Sequence, residues 1–302
     1  MNAPIVIFAY RRPDHLRNTL MSLMRCQGFE SSPIIVYGDG PKNDLERDAV
    51  DATRAVAESF LGVRAEYHFS QTNRGLSASV INGVTDVLKR FERVIVIEDD
   101  LELKPGFLVH MNNALDAYAN DVKVFQVSGY MFDVQEMRDH ESAVFLPFTT
   151  SWGWATWQRA WQKFDTSAFG WEKLSTDSSL RRRFNLGGAY DYATMLERQM
   201  CGQQDSWAIR WYWSVFNEHG LALFPPQSLV RNTGFDGSGT HGRGLLSRFG
   251  KKDDGFPTVY FEFPLQTELN FILFDQVTTA LRRQNGGWKA ACLNLIRRLI
   301  GR

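Results

Sequence analysis

The sequence is poor in cysteine, in net charge and in long apolar runs, and each shortage excludes something. Three cysteines in 302 residues (Cys26, Cys201 and Cys292) are odd in number and far apart, which argues against a disulfide framework and against a zinc site. Thirty-four Lys and Arg balance thirty-four Asp and Glu; a nucleic-acid-binding chain would carry a basic excess, so no nucleic-acid partner is expected. No apolar run approaches the ~20 residues that span a bilayer. The chain starts straight into PIVIFAY, without a charged leader or a small-residue cleavage site, so no secretory signal is expected. A reducing, cytoplasmic setting fits these absences best.

What is present is an ordinary globular composition with one bias. Apolar residues reach 44% and charged residues 23%, enough to bury a large core and too apolar for disorder. Aromatics reach 13% with nine Trp, and all but Trp288 lie between Trp152 and Trp213. The two halves of the chain therefore differ in kind.

The first hundred residues alternate strand and helix. Residues 4–9, 33–37, 63–69 and 93–97 read as strands, the last apolar on both faces as a buried parallel strand requires. PDHLRNTLMSLM, ERDAVDATRAVAESF and LSASVINGVTDVLKRF read as helices, the first with Leu16, Leu20 and Leu23 on one face. This order predicts a largely parallel sheet with helices on both faces. Ligands in such sheets bind beyond the carboxyl ends of the strands. Tyr10, Arg11 and Arg12 follow the first strand, Asp39 the second, Asn73 and Arg74 the third, and Glu98, Asp99 and Asp100 the fourth.

Beyond residue 120 the pattern loosens. Residues 124–128, 143–147 and LALFPP read as strands. SWGWATW follows as a tryptophan-rich segment in which Trp152 and Trp154 flank Gly153 in a short turn, 175–204 read as helices and loops, and DSWAIRWYWSVFNEHG as a helix ended by Gly220. Residues 232–244 carry five glycines without periodicity and predict a mobile loop. From Leu281 the tail carries only basic charges and an apolar stripe. Three segments follow: 1–120, 121–270 and a helical basic tail, 271–302.

Three adjacent acids after an apolar strand are costly unless a cation sits there. Mg²⁺ or Mn²⁺ prefers carboxylate oxygens and commonly shares them with substrate phosphates. A solvated acidic turn is the plainer alternative. Asp205 stands before a helix, where it is either a cap or a base that takes a proton from an attacking hydroxyl. Trp152 and Trp154 are either core or a stacking surface for a sugar; Trp207, at helical spacing with Trp211, reads first as core.

IVIFAYRRPDHLRNTLMSL, YGDG, TNRGLSASVINGV and VIVIEDD together resemble the nucleotide-sugar-binding half of GT-A glycosyltransferases. The EDD is similar to the acidic motif of the N-acetylglucosaminyltransferase I-like and family 2-like enzymes and their bacterial relatives. The likeness is good over residues 3–107 and looser through SWGWATW, QQDSWAIRW and SLVRNTGFDGSGTHG. It implies a GT-A fold, a mostly parallel twisted α/β sheet flanked by helices, with an aromatic-rich acceptor half. It also implies a metal-dependent, inverting transfer from a nucleotide-sugar, UDP-linked, to a saccharide or lipid-linked saccharide of a surface polysaccharide.

By the same resemblance Asp100 ligates the metal, joined by His241 of the glycine loop. Asp99 lies near the ribose or a bound water, and Glu98 faces the donor sugar. Asp39 contacts the base, and Tyr10, Arg11 and Arg74 lie near the nucleotide. Asp205 is the base, with Asp191 and Asp236 as rivals. Trp152, Trp154 and Trp207 border the sugars. A sugar nucleotidyltransferase, or an inactive sugar-binding relative, are the alternatives; YRRPDH lacks the glycines that the former carries after its first strand. The basic tail reads equally as a helix packed on the domain or as a peripheral contact with the inner face of an anionic membrane.

Overall fold

The computed structural model describes residues 2–235 and 261–284. The chain folds around one eight-stranded sheet and a two-stranded ribbon. The strands are β1 (Ile5–Ala9), β2 (Ile34–Gly38), β3 (Ala65–Phe69), β4 (Arg93–Glu98), β5 (Leu101–Leu103), β6 (Val124–Ser128), β7 (Val144–Leu146), β8 (Trp154–Trp157), β9 (Leu221–Phe224) and β10 (Val230–Asn232). The helices are α1 (Pro13–Met24), α2 (Arg47–Leu61), α3 (Leu76–Arg90), α4 (Phe107–Ala117), α5 (Gln158–Trp161), α6 (Lys173–Thr176), α7 (Ser178–Phe184), α8 (Tyr192–Met200), α9 (Trp207–Asn217) and α10 (Phe271–Gln284).

The sheet order is β3-β2-β1-β4-β8-β6-β9-β7. All strands but β7 and β8 run the same way, since β8 is antiparallel to both β4 and β6, and β7 is antiparallel to β9. The mixed α/β class with a mostly parallel sheet is thus as the sequence indicated. Strand alternation explains the layering. Ile5, Ile7, Ile95 and Ile97 point to one face and pack with α1, α2 and α4. Val6, Phe8, Val94 and Val96 point to the other and pack with α3, α5 and α9. A further cluster joins β7 and β9 to α7, α8, α9 and α10.

Three local readings change. The chain bends at Trp152 and Gly153 (φ +60°) as read, but Trp154 does not belong to the turn: it opens β8, which inserts between β4 and β6. Helix α9 stops at Asn217, before the glycine, and His219 takes the left-handed conformation (φ +54°). Gly220 is required for another reason, since a Cβ there would lie 2.4 Å from the Phe125 ring. The ribbon of β5 and β10 was not read at all. It joins residues 230–232 to the segment directly after Asp100.

Candidate active site

The chain builds β1, β2 and β3 to one side and then places β4 on the other side of β1. The switch point lies between β1 and β4, where a crevice opens beyond the strand ends. Arg12, from β1, and Asp99 and Asp100, from β4, meet there. The Arg12 guanidinium Nη2 donates to Asp99 Oδ1 and, at 2.9 Å, to Asp100 Oδ2. The Tyr10 amide donates to Asp99 Oδ2 at 3.0 Å. Thr19 Oγ1 donates to the Asp99 carbonyl at 2.8 Å, which ties the acidic turn to α1. Both carboxylates are nearly out of solvent, with Asp99 3% and Asp100 8% exposed.

Burial sets the electrostatics. Desolvation raises the Asp99 carboxyl, and Asp100 adds to it, while Arg12 pulls the other way. Glu98, at the end of β4, is pushed up to about 8, first by desolvation and then by the charges of Asp100 and Asp99. No described residue hydrogen-bonds its carboxyl. The acidic turn is therefore short of positive charge even with Arg12 in place.

The ribbon closes this corner from above. The Thr233 amide and hydroxyl both donate to the Asp100 carbonyl, at 2.8 and 3.0 Å. Asn232 Nδ2 stands 3.5 Å from Asp100 Oδ1. His15 of α1 meets Thr233 Oγ1 at 3.0 Å. A Cβ on Gly234 would lie 2.2 Å from Asp100 Oδ2, so only glycine passes there. Phe235 continues to Trp152, with ring centroids 5.5 Å apart. Trp152 also meets Tyr130 edge-on at 4.4 Å and stays half-buried. It thus borders the same corner.

A second group forms beyond β2. Asp39 Oδ1 accepts from the Gly40 and Arg74 amides, each at 2.8 Å, and Oδ2 from the Gly75 amide and Asn73 Nδ2, each at 3.0 Å. Four donors saturate a carboxylate. In this structure Asp39 clamps residues 73–75, and the Asp39 amide itself bonds to Ala9 of β1. The clamp leaves the Arg74 side chain exposed, without a hydrogen-bond partner among the described residues. Gly75 turns the chain with φ +83° into α3.

Asp205 joins this second group. It is exposed, and its Oδ2 accepts from the Ser77 amide at 3.3 Å, in the first turn of α3. It does not cap its own helix, since Ser206 occupies that position without a side-chain bond. Arg210 of α9 reaches Ser77 Oγ and fastens α9 to α3.

Other expected site residues lie elsewhere. Arg11 turns away to Glu46 Oε1 at 2.8 Å, and the Tyr10 hydroxyl reaches Glu46 Oε2. Glu46 holds Tyr10 first, and that bond lowers its carboxyl below the usual range, while burial beside it pushes the Tyr10 phenol up to about 12. Trp154 and Trp207 need correction as sugar-bordering residues. They are 0% and 3% exposed and stack on one another at 4.9 Å in the α3–α9 layer. Their indole faces are covered by protein, because β8 is an interior strand and α9, which Trp207 opens, packs over it. His241, Asp236 and the tail from 285 lie outside the described residues. Glu46, Asn232, Thr233 and Gly234 were missed. RNTG carried a weak signal, a glycine after polar residues, but nothing in it pointed to Asp100.

Residues 5–201 match the family model for glycosyl transferase family 2. The chain belongs to glycosyl transferase family 2. It is a glycosyltransferase of GT-A architecture, and a sugar nucleotidyltransferase is set aside. No curated protein matches. Among solved structures, the chain is similar to a mannosyltransferase of Pyrobaculum calidifontis in complex with GDP-mannose and Mn²⁺, at 13% identity and TM-score 0.39, over 72% of this chain and 70% of that one. It is similar to GalNAc-T7 with UDP, GalNAc and Mn²⁺ at 9% identity and TM-score 0.43, over 76% of this chain and 44% of that one. Mouse xyloside xylosyltransferase 1, in its apo form, is similar at 11% identity and TM-score 0.37, over 72% and 82%.

Proposed function

We propose that this glycosyltransferase is divalent-metal-dependent and inverting, and that it uses a UDP-linked sugar. The observation that carries the reading is the convergence of Asp99 Oδ1 and Asp100 Oδ2 on a single cationic nitrogen at the strand switch point. Two hard carboxylate oxygens around one position suit Mg²⁺ or Mn²⁺, which completes its shell with phosphate oxygens. Among the described residues no third acid, His or Cys joins them in a ligand group. On this geometry Asp99, which the resemblance puts near the ribose or a bound water, would join Asp100 in holding the ion, with His241 as a further candidate ligand, and the ion would supply Lewis acidity toward a leaving diphosphate.

The protein's own residues divide the remaining work. The loop clamped by Asp39 presents Arg74, a free guanidinium suited to a phosphate oxygen. Tyr10 and Arg11, which this structure ties to Glu46, would turn to the nucleotide when it binds, and Asp39 would lie near the base. Glu98, poorly solvated and able to keep a proton, faces the donor sugar. Asp205, exposed above the start of α3, takes the proton of the acceptor hydroxyl. Trp152 offers an apolar face to a sugar ring. Residues 1–120 form the donor half and 121–270 the acceptor half of the one domain.

The acceptor is proposed to be a saccharide or lipid-linked saccharide of a surface polysaccharide; α10, the first half of the tail, packs on the domain, and the membrane contact is proposed for the basic residues that follow it. No helix among the described residues is long and apolar enough to cross a bilayer. The reading is tested by UDP-sugar turnover with Mn²⁺ and with EDTA, in wild type and Asp100→Ala. Wild type releases UDP only with the ion, and the variant binds UDP without metal dependence. Equal turnover in EDTA refutes the metal role.

A further inference from the structure

Arg12 stands where the divalent ion would. One of its nitrogens reaches both acidic carboxylates, and the side chain is only 17% exposed. Gly234 shuts it in: a Cβ there would lie 2.9 Å from Arg12 Nη1 and 2.2 Å from Asp100 Oδ2. A guanidinium and a divalent ion cannot share this position, because both are cations and the pocket is largely dry. The two acids also depend on Arg12 to different degrees. Asp99 keeps the Tyr10 amide without it. Among the described residues the Asp100 carboxylate then keeps only Asn232, at 3.5 Å. Losing Arg12 would therefore leave Asp100 open to an ion.

We propose that Arg12 is the resident counter-cation of Asp99 and Asp100 in the donor-free enzyme, and that a nucleoside diphosphate opens the metal site by drawing Arg12 off the carboxylates. The inference rests on the metal-dependent reading above. A diphosphate suits the exchange, since a guanidinium bonds phosphate oxygens as well as it bonds carboxylate. Arg12 lies at the start of α1, at the mouth of the crevice, and its long stem lets the head group move without shifting the backbone. The exchange makes binding ordered and reciprocal: nucleotide tightens the ion, and the ion tightens nucleotide by the same factor. It also keeps the acidic corner neutralised when no donor is bound.

Mn²⁺ titrations followed by electron paramagnetic resonance test this, with and without UDP and with the Mn²⁺–UDP blank subtracted. Wild type is expected to bind Mn²⁺ weakly alone and at least tenfold more tightly with UDP. Arg12→Gln is expected to bind Mn²⁺ alone at least tenfold more tightly than wild type and to lose most of the UDP effect. The melting temperature gives a second reading, because Mn²⁺ alone should stabilise Arg12→Gln and not wild type. If Arg12→Gln binds Mn²⁺ no more tightly than wild type while UDP still tightens both, the role of Arg12 is overturned and the metal reading stands. If neither protein binds Mn²⁺ with or without UDP, the metal reading falls and takes this inference with it. Should Arg12→Gln fail to fold, wild type still decides, since equal Mn²⁺ affinity with and without UDP overturns the exchange.

Discussion

Asp39→Asn keeps the shape of the side chain and removes one acceptor and the charge. In the native clamp each carboxylate oxygen serves two donors: Gly40 and Arg74 amides on Oδ1, Gly75 amide and Asn73 Nδ2 on Oδ2. An asparagine has a single acceptor oxygen, so in either orientation its NH₂ faces two donors. Asn73 cannot flip to help without giving up its 2.9 Å bond to the Gly40 carbonyl. Two donors lose their partner at roughly 1–3 kcal/mol each, and the surviving pair loses charge assistance. The total is about 3–5 kcal/mol, a large part of an ordinary stability of ~5–15 kcal/mol. For a chain of this size that is a drop of roughly 5–10 °C in Tm. Thermal unfolding by circular dichroism measures it, and UDP affinity by calorimetry should fall alongside, because the clamp positions Arg74. A variant that melts within about 1 °C of wild type would refute the clamp.

Three further outcomes follow from the geometry. Asp205→Asn should keep UDP binding and lose transfer in a radiolabelled-sugar assay, while its stability changes by less than ~1 kcal/mol because the bond to Ser77 is long and exposed; normal turnover would place the base elsewhere. His110 is buried between Phe261 and Phe263 without a hydrogen-bond partner among the described residues, and burial lowers its pKa from 6.5 to about 3. The folded protein therefore refuses a proton that the unfolded chain accepts, so stability is full above pH ~6.5 and declines toward pH ~3 by about 1.4 kcal/mol per unit. Denaturant unfolding of His110→Phe should show a flatter acid limb, and an unchanged slope would dismiss His110 as its source. Deleting residues 285–302 should move the protein from anionic vesicles to the supernatant in a sedimentation assay, and unchanged partitioning would remove the tail from the membrane proposal.

Much of the donor half could be read directly. Residues 4–9 and 93–97 are continuous apolar runs, and the helices between them keep one apolar face, so the parallel α/β order follows from periodicity. The carboxyl-end rule then picked out Tyr10, Arg11, Arg12, Asp39, Asn73, Arg74, Glu98, Asp99 and Asp100, and the choice of Arg11 over Arg12 for the site is the one that the structure reverses, since Arg12 meets the two aspartates and Arg11 meets Glu46. The turn at Gly153 was legible, but the strand that starts at Trp154 was not, because a four-residue antiparallel strand has too short a pattern to tell from a turn. Only the insertion of β8 between β4 and β6 buries Trp154. The partners of Asp39 were within reach in principle, since TNRG follows β3, yet a carboxylate next to a glycine gives no sign of how many amides it will gather.

The local pattern of the chain determined which residues stand at strand ends, because hydrophobic period and helix punctuation are properties of neighbours in sequence. Which charges meet was decided by the tertiary structure alone. Arg12 and Arg11 are adjacent and chemically identical, and one lands on two aspartates while the other lands on Glu46. Asp205 and Ser77, or Asn232 and Asp100, are more than a hundred residues apart and are joined by helix packing and a three-residue ribbon. Electrostatic partnership depends on distance through space, and sequence spacing carries that distance only within a single element.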